Sequence, residues 1–192
     1  MNVSFGAKIP IAKCQIQNAK TGSYESAVIY EIDCNNESDI DTVTKPENEW
    51  KYAKFIQNDM QEKIQYKNIY SGYNISSFYI LESKDGETLG MSEMREFYDG
   101  SYDLSYIDTK KNKPYKYVGQ TLLATTAREA YKKGTKVFTV CSAVLSALDF
   151  YTVVCGFKDC GLFVPTMQRE EIPKFVRQTE CRTKAPILDF VG

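Results

Sequence analysis

LSYIDTKKNKPYKYVGQTLLATTAREAYKKGTKVFTVCSAVLSALDFYTVVCGF, residues 104–157, is the stretch from which the fold is read. Leu104, Ser105, Tyr106, Ile107 and Asp108 alternate apolar and polar, the period of a half-buried strand. A basic, proline-containing turn follows, with Lys110, Lys111, Lys113, Pro114 and Lys116. Gly119, Leu122, Leu123, Thr126, Ala127, Ala130 and Tyr131 then recur at helical spacing, and Gly134 stands where a helix C-terminal glycine is expected. The run from Lys136 to Cys141 is short, apolar and β-branched, which predicts a buried strand. A second, shorter helix is expected from about Ser142 to Val154, stopping at Gly156. Strand, basic turn, helix, strand, helix is a β-α-β-α unit.

That unit suits a phosphate-bearing ligand. A helix that starts soon after a strand leaves unpaired backbone N–H groups and a partial positive charge beyond the strand end. Gly119 in its first turn removes a side chain where a pyrophosphate approaches the backbone. The lysines upstream add attraction for an anion, although charge runs of this kind also occur as plain solvated surface.

Lys116-Tyr-Val-Gly119-Gln-Thr121 followed by Leu122-Leu123 resembles the Arg/Gln-x-x-Gly-x-Gly/Ala loop and Leu-rich helix of the GNAT N-acetyltransferase superfamily. Lys116 replaces Arg or Gln there, and Thr121 replaces the small last residue. Downstream the family often shows Asn-x-x-Ala-Leu-x-Phe-Tyr, three residues, then Gly-Phe. Ala147, Leu148, Phe150, Tyr151, Gly156 and Phe157 are similar to it, with Val144 at the Asn position and four residues between Tyr151 and Gly156. Each short motif is weak by itself; both in order on the expected elements are stronger.

The resemblance implies an α/β (α+β) fold with a GNAT-like mixed, mainly antiparallel sheet flanked by helices. It implies a single acyltransferase domain over 1–192, with 104–157 as the acyl-CoA-binding core and 1–46 as an N-terminal extension. Acetyl-CoA is the implied cosubstrate. Backbone groups of Ile107, Asp108 and Thr109 are expected to pair with the pantetheine amides, and Lys116, Tyr117, Val118, Gly119, Gln120 and Thr121 to hold the pyrophosphate. Cys141, Ser142 and Leu148 complete the implied cofactor set. Tyr151 is the implied general acid for the departing thiolate. Counted back from Gly156 that position falls on Thr152, so the extra residue lies either after Tyr151 or before it.

The totals bound the rest. The chain has 192 residues, 43% of them hydrophobic and 13% aromatic, enough for a substantial core. The net charge is −1, but residues 1–100 carry −6 and residues 101–192 carry +5, so the proposed loop lies in the basic half. No nucleic-acid module accompanies the lysines, so no nucleic-acid partner is expected. Histidine is absent, which removes Ser–His and Cys–His nucleophile pairs. The carboxylates placed for a base are Glu93, Glu96, Asp103 and Asp108, and strand alternation puts Glu93 and Glu96 on opposite faces. The six cysteines show no metal-ligand or redox spacing, so no metal is expected, and reduced, mostly buried thiols in a cytoplasmic protein are the default. The N-terminus lacks a signal-peptide core and no apolar run reaches bilayer length, so no membrane partner is expected.

Upstream, residues 3–33 read as a β-hairpin turning at Asn18 to Gly22, with Pro10 marking an edge or an interruption. Structural support or an interaction surface is its expected role. A helix is expected over 47–66 with Trp50, Ala53, Met60 and Ile64 on one face, then an aromatic loop over 66–73 suited to lining an acceptor site. Asp85-Gly86 and Asp99-Gly100 predict the turns of a three-stranded meander that leads into the motif. After Phe157, KDCGLFVP reads as a strand, and the charged, Pro-punctuated tail from Gln168 ends in an apolar ILDFV that suits an edge strand.

Two functions fit these residues. One is an N-acetyltransferase passing an acetyl group from acetyl-CoA to an amine of a small molecule or protein by direct attack on the thioester. The other is a catalytically weak or inactive CoA-binding or interaction module of the same fold. A homodimer is compatible with either.

Overall fold

The structure is a computed structural model that describes residues 8–33, 39, 58–59, 76–111, 115–141, 145–161 and 163–183. β1 (Ile9–Asn18) and β2 (Tyr24–Ile32) form the N-terminal hairpin. Its turn is set by Asn18, whose Oδ1 accepts the N–H groups of Lys20 and Thr21, and by Gly22 at φ 73°. Pro10 has no ladder hydrogen to give, and the register slips between Pro10 and Ala12. β2 pairs with β3 (Ser76–Ser83) from Ala27↔Ser83 to Ile32↔Phe78, so the hairpin is continuous with the main sheet. β4 (Thr88–Glu96) and β5 (Tyr102–Thr109) complete the meander. Gly86 and Gly100, both at φ 77°, turn it at the two Asp-Gly pairs.

β6 (Tyr115–Lys116) pairs back onto the end of β1 and leads directly into α1 (Val118–Lys132). Gly134, at φ 89°, ends that helix. β7 (Val137–Val140) lies parallel to β5, and α2 (Leu145–Asp149) continues as a π-helical turn, Phe150–Val154. β8 (Lys158–Asp159) and β9 (Pro165–Gln168) form a second hairpin, and a 3₁₀ turn at Arg169–Glu171 enters α3 (Ile172–Thr183). Among the described residues nine strands make one mixed, mainly antiparallel sheet in the order β6-β1-β2-β3-β4-β5-β7-β9-β8.

α1 and α3 share the core on one face. Leu122, Leu123, Ala127 and Ala130 of α1 meet Leu104, Phe138 and Met94 of the sheet and Phe175 and Val176 of α3. Gly90 lets α1 sit close: a Cβ there would lie 2.6 Å from Leu122 Cδ1 and 3.0 Å from Val118 Cγ1. Ser92 and Thr126 hydroxyls meet at 3.0 Å on this face. Arg128, buried on α1, donates to the Ile11 carbonyl at 2.9 Å and pairs with Glu129. Phe78, Ile80 and Met91 are buried too, but outside this cluster, on the other side of the sheet.

Three expectations change. KDCGLFVP is not one strand but a hairpin, turned through Gly161 and Phe163, both at positive φ. The charged tail holds a full helix, because Pro173 falls in its first turn, where no amide hydrogen is needed, and Glu171 caps the Gln168 amide at 3.0 Å. Among the described residues the cysteines are not mostly buried: Cys14 and Cys155 are, whereas Cys141, Cys160 and Cys181 are exposed. Burial pushes the thiols of Cys14 and Cys155 up to about 12. The expected helix over 47–66, apart from helical Asn58 and Asp59, the loop over 66–73 and the terminal ILDFV lie outside the described residues. No described helix is long and apolar enough to cross a membrane.

Candidate active site

β5 and β7 pair only from Tyr102↔Phe138 to Leu104↔Val140, and the Cys141 N–H reaches the Leu104 carbonyl at 3.0 Å as the last bond between them. β7 is four residues long, so β5 runs on past it. A bulge falls at the same place. Glu93 pairs with Tyr106 and Met94 with Leu104, leaving Ser105 unmatched. Beyond it Ile107 and Thr109 keep β4 on one side, and no described strand pairs with them on the other. Cys141 is exposed at the point of parting, and Ser142 lies outside the described residues.

The start of α1 lies against the far end of β5, at Thr109. Tyr117 takes a left-handed conformation, φ 69°, and turns the chain from β6 into the helix without a side-chain cap. The Thr121 N–H closes onto the Tyr117 carbonyl at 2.8 Å. The N–H groups of Val118, Gly119 and Gln120 therefore precede any intrahelical acceptor. The Val118, Gln120 and Thr121 side chains are buried, so these positions offer a ligand backbone only. Thr121 Oγ1 is buried without a hydrogen-bond partner. A Cβ at Gly119 would meet only Thr109 Cγ2, at 3.4 Å. The protein itself does not require that glycine, whereas an anion approaching the backbone does. Of the upstream lysines, Lys110 is committed to Glu87 at 2.9 Å, Lys111 and Lys116 are exposed, and Lys113 lies outside the described residues.

The opposite face of the sheet carries the polar groups. Alternation along β4 sends Glu93 and Arg95 away from α1, and pairing brings Tyr106 and Asp103 of β5 to the same side. Glu93 is fully buried; its Oε1 accepts Arg95 Nε at 2.9 Å and Ser76 Oγ at 3.1 Å, while Oε2 has no partner. Burial pushes its carboxyl up to about 7 against the pull of the adjacent Arg95. Arg95 also pairs with Asp59 and stands 5.9 Å from the Tyr106 ring. Asp103 accepts Ser105 Oγ at 2.8 Å, and burial raises its carboxyl too. Glu96 lies across the sheet, bonded to the Tyr102 hydroxyl, so it does not join Glu93. Asp108 caps the Thr109 N–H at 2.9 Å. Arg95 and the Ser105 bulge escaped the sequence reading. The Glu-x-Arg spacing does mark one strand face, but a bulge leaves no such mark.

The surplus residue before Gly156 takes the form of the π turn. Cys155 N–H bonds to the Phe150 carbonyl, a step of five residues, at 3.0 Å. Tyr151 is the second residue of that turn, 6% exposed, its ring edge-on to Phe150 and Phe157 at 5.3 and 6.1 Å. Thr152 Oγ1 is occupied by the Leu148 carbonyl at 3.0 Å, and Leu148 itself is half-buried. Of the two hydroxyls the spacing left open, that of Thr152 is thus spent on the helix backbone.

The fold has solved counterparts. A GNAT-family acetyltransferase from Staphylococcus aureus superposes with a TM-score of 0.51 at 12% identity, over 73% of this chain and 99% of that one. The fold is the GNAT fold. A chain of the DNA-bound AtaT–AtaR complex gives a TM-score of 0.58 at 17% identity, over 76% of this chain and 97% of that one. A Tyr-to-Phe mutant of KacT gives 0.55 at 16% identity, over 77% and 98%. No protein-family model matches the sequence, and no curated protein does either. The GNAT order of three antiparallel strands, helix, strand and helix is β3, β4, β5, α1, β7 and α2 here.

Proposed function

We propose that the protein is an N-acetyltransferase that uses acetyl-CoA to acetylate an amine of a small molecule or a protein. The parting of β5 from β7, with the start of α1 against the far end of β5, is the observation that carries this reading. Lone backbone groups at Ile107 and Thr109 fit a pantetheine arm, and the first-turn N–H groups around Gly119 fit a pyrophosphate. When bound, acetyl-CoA supplies an activated acyl thioester. The chain supplies the proton chemistry and the charge stabilisation. Glu93, with its carboxyl near neutrality, is matched to accept a proton from the incoming ammonium, directly or through water. The backbone at the Ser105 bulge, where the β4–β5 register breaks, is the proposed source of N–H donation to the carbonyl oxygen as it gains charge. Tyr151 holds a phenolic proton for the leaving sulfur. The same reading takes 1–192 as one acyltransferase domain working in the cytoplasm.

Burial of Glu93 and of Tyr151 favours a second reading, a CoA-binding module with little turnover. Release of free CoA from acetyl-CoA, measured with a panel of amines, separates the two. Turnover above the amine-free rate supports the enzyme; CoA-dependent thermal stabilisation without turnover supports the module. Neither signal with any amine would overturn both.

A further inference from the structure

Cys141 stands at the vertex of the gap between β5 and β7. Its N–H makes the last bond between the two strands, to the Leu104 carbonyl at 3.0 Å, and its thiol is exposed. The other end of the gap is marked by Gly119, whose Cβ position lies 3.4 Å from Thr109 Cγ2. An arm with its pyrophosphate at the α1 start and its amides along Ile107 to Thr109 runs from Thr109 back toward Leu104. Those five steps of strand cover about 16 Å at about 3.3 Å per residue. That is the reach of an extended pantetheine arm, so its sulfur end falls beside Cys141. The other exposed thiols lie elsewhere: Cys160 follows β8, at the far edge of the sheet, and Cys181 is on α3.

Cys141 belongs to a cluster. Asp103, 3% exposed, accepts hydrogen bonds from the Cys141 thiol and, at 2.8 Å, from Ser105 Oγ. The Tyr106 hydroxyl lies within electrostatic reach of both Cys141 and Glu93. Glu93 is fully buried on this face, and its Oε2 is a polar atom without a hydrogen-bond partner. A thiol bonded to a carboxylate at the acyl end of a thioester site has the parts of a nucleophile and its base. Resting on the acetyl-CoA reading of this gap, we propose that Cys141 is a second acyl acceptor, which takes the acetyl group onto its own sulfur when no amine is present. The Cys141 sulfur forms a bond to the acetyl carbonyl carbon while Asp103 receives the thiol proton. The bond from that carbon to the CoA sulfur breaks, and the leaving sulfur carries a proton away. One thiol and one thioester are exchanged for another such pair, so no oxidant or further reactant is used, and excess CoA reverses the step.

The test incubates the full chain, Cys141→Ala and Asp103→Asn with acetyl-CoA and no amine, then reads intact mass and maps the acetylated peptide. One acetyl group should appear on Cys141 of the parent, be removed by excess CoA, and be absent from Cys141→Ala. In Asp103→Asn its formation should slow by about 100-fold. A second readout needs no transfer. CoA at about ten times its Kd should slow iodoacetamide alkylation of Cys141 about ten-fold and leave Cys160 and Cys181 unchanged. Shielding of Cys141 without acetylation overturns the proposal and leaves the CoA reading standing. Neither shielding nor CoA-dependent stabilisation overturns the CoA reading itself, and the proposal with it. Acetyl groups on Cys160 or Cys181 to the same extent as on Cys141 mark uncatalysed chemistry and overturn the proposal too. An Asp103→Asn chain that is shielded by CoA and acetylated at the parent rate removes Asp103 as the base.

Discussion

Gly119 separates what the fold needs from what a ligand needs. It lies at the second position of α1, with ordinary negative φ, and a Cβ would meet only Thr109 Cγ2 at 3.4 Å. Alanine there fits, and replacing glycine within a helix gains about 0.5–1 kcal/mol through the unfolded chain and helix propensity. Aspartate fits as well, and a negative charge in a first turn adds about 0.3–1 kcal/mol by facing the positive end of the helix dipole. Neither substitution should lower the melting temperature. Against CoA the effects reverse. A carboxylate about 5 Å from a phosphate repels it by about 0.8 kcal/mol in water and about 3 kcal/mol at an effective dielectric near 20. Per phosphate charge that weakens binding by about 4-fold to more than 100-fold. The assay is isothermal titration with CoA beside a melting scan of parent, Gly119→Ala and Gly119→Asp. Stable variants with affinities falling from Gly to Ala to Asp support the loop assignment. An equally stable Gly119→Asp that binds CoA like the parent would falsify it.

Three further outcomes are expected. Tyr151→Phe should lower turnover by roughly 10- to 1,000-fold with CoA binding retained, and Thr152→Val should leave turnover near the parent because its hydroxyl already serves Leu148; the reverse pattern in steady-state kinetics would move the acid to Thr152. Glu93 has a folded value near 7 against an ordinary 4.5, so its protonated form is favoured by folding. Its contribution to stability is full below about 4.5 and lost as pH rises through about 7, at no more than about 1.4 kcal/mol per pH unit. Glu93→Gln should therefore gain on the parent as chemical denaturation is repeated from pH 5 to 8, and parallel curves would contradict that. Gly90→Val should destabilise by about 1–3 kcal/mol, because Leu122 and Val118 occupy the space its side chain needs; a denaturation midpoint equal to the parent's would show that α1 can shift without cost.

The regular parts of this fold were legible because the local signals agree. Asp85-Gly86 and Asp99-Gly100 dictate their turns through positive φ, and the spacing from Gly119 to Gly134 sets α1 within a residue or two. Gly119 also marked the helix start without any structural comparison. Features made by pairing between distant segments stayed hidden. The Ser105 bulge exists only in the register of β4 against β5. Arg95 reads as an ordinary surface charge until Asp59, far away in sequence, arrives beside it. α3 was masked by Pro173, whose usual role as a helix breaker reverses in a first turn. The surplus residue near Tyr151 was visible as a count, but a count does not say whether the chain loops out or widens a helical turn.

The short β6 clasp bears on binding through chain entropy. Tyr115 and Lys116 are laddered to Asn18 and Gln17, and the Tyr115 hydroxyl reaches Glu25 at 3.2 Å. The residues that lead into the α1 start are thus immobilised by the hairpin when the chain folds. Fixing a residue's backbone costs about 1–2 kcal/mol. For two residues already held, about 2–4 kcal/mol of ordering need not be met again when an anion docks. A hairpin that contributes no functional group to the cleft thereby sets part of its affinity, and its removal is expected to weaken a ligand it never touches.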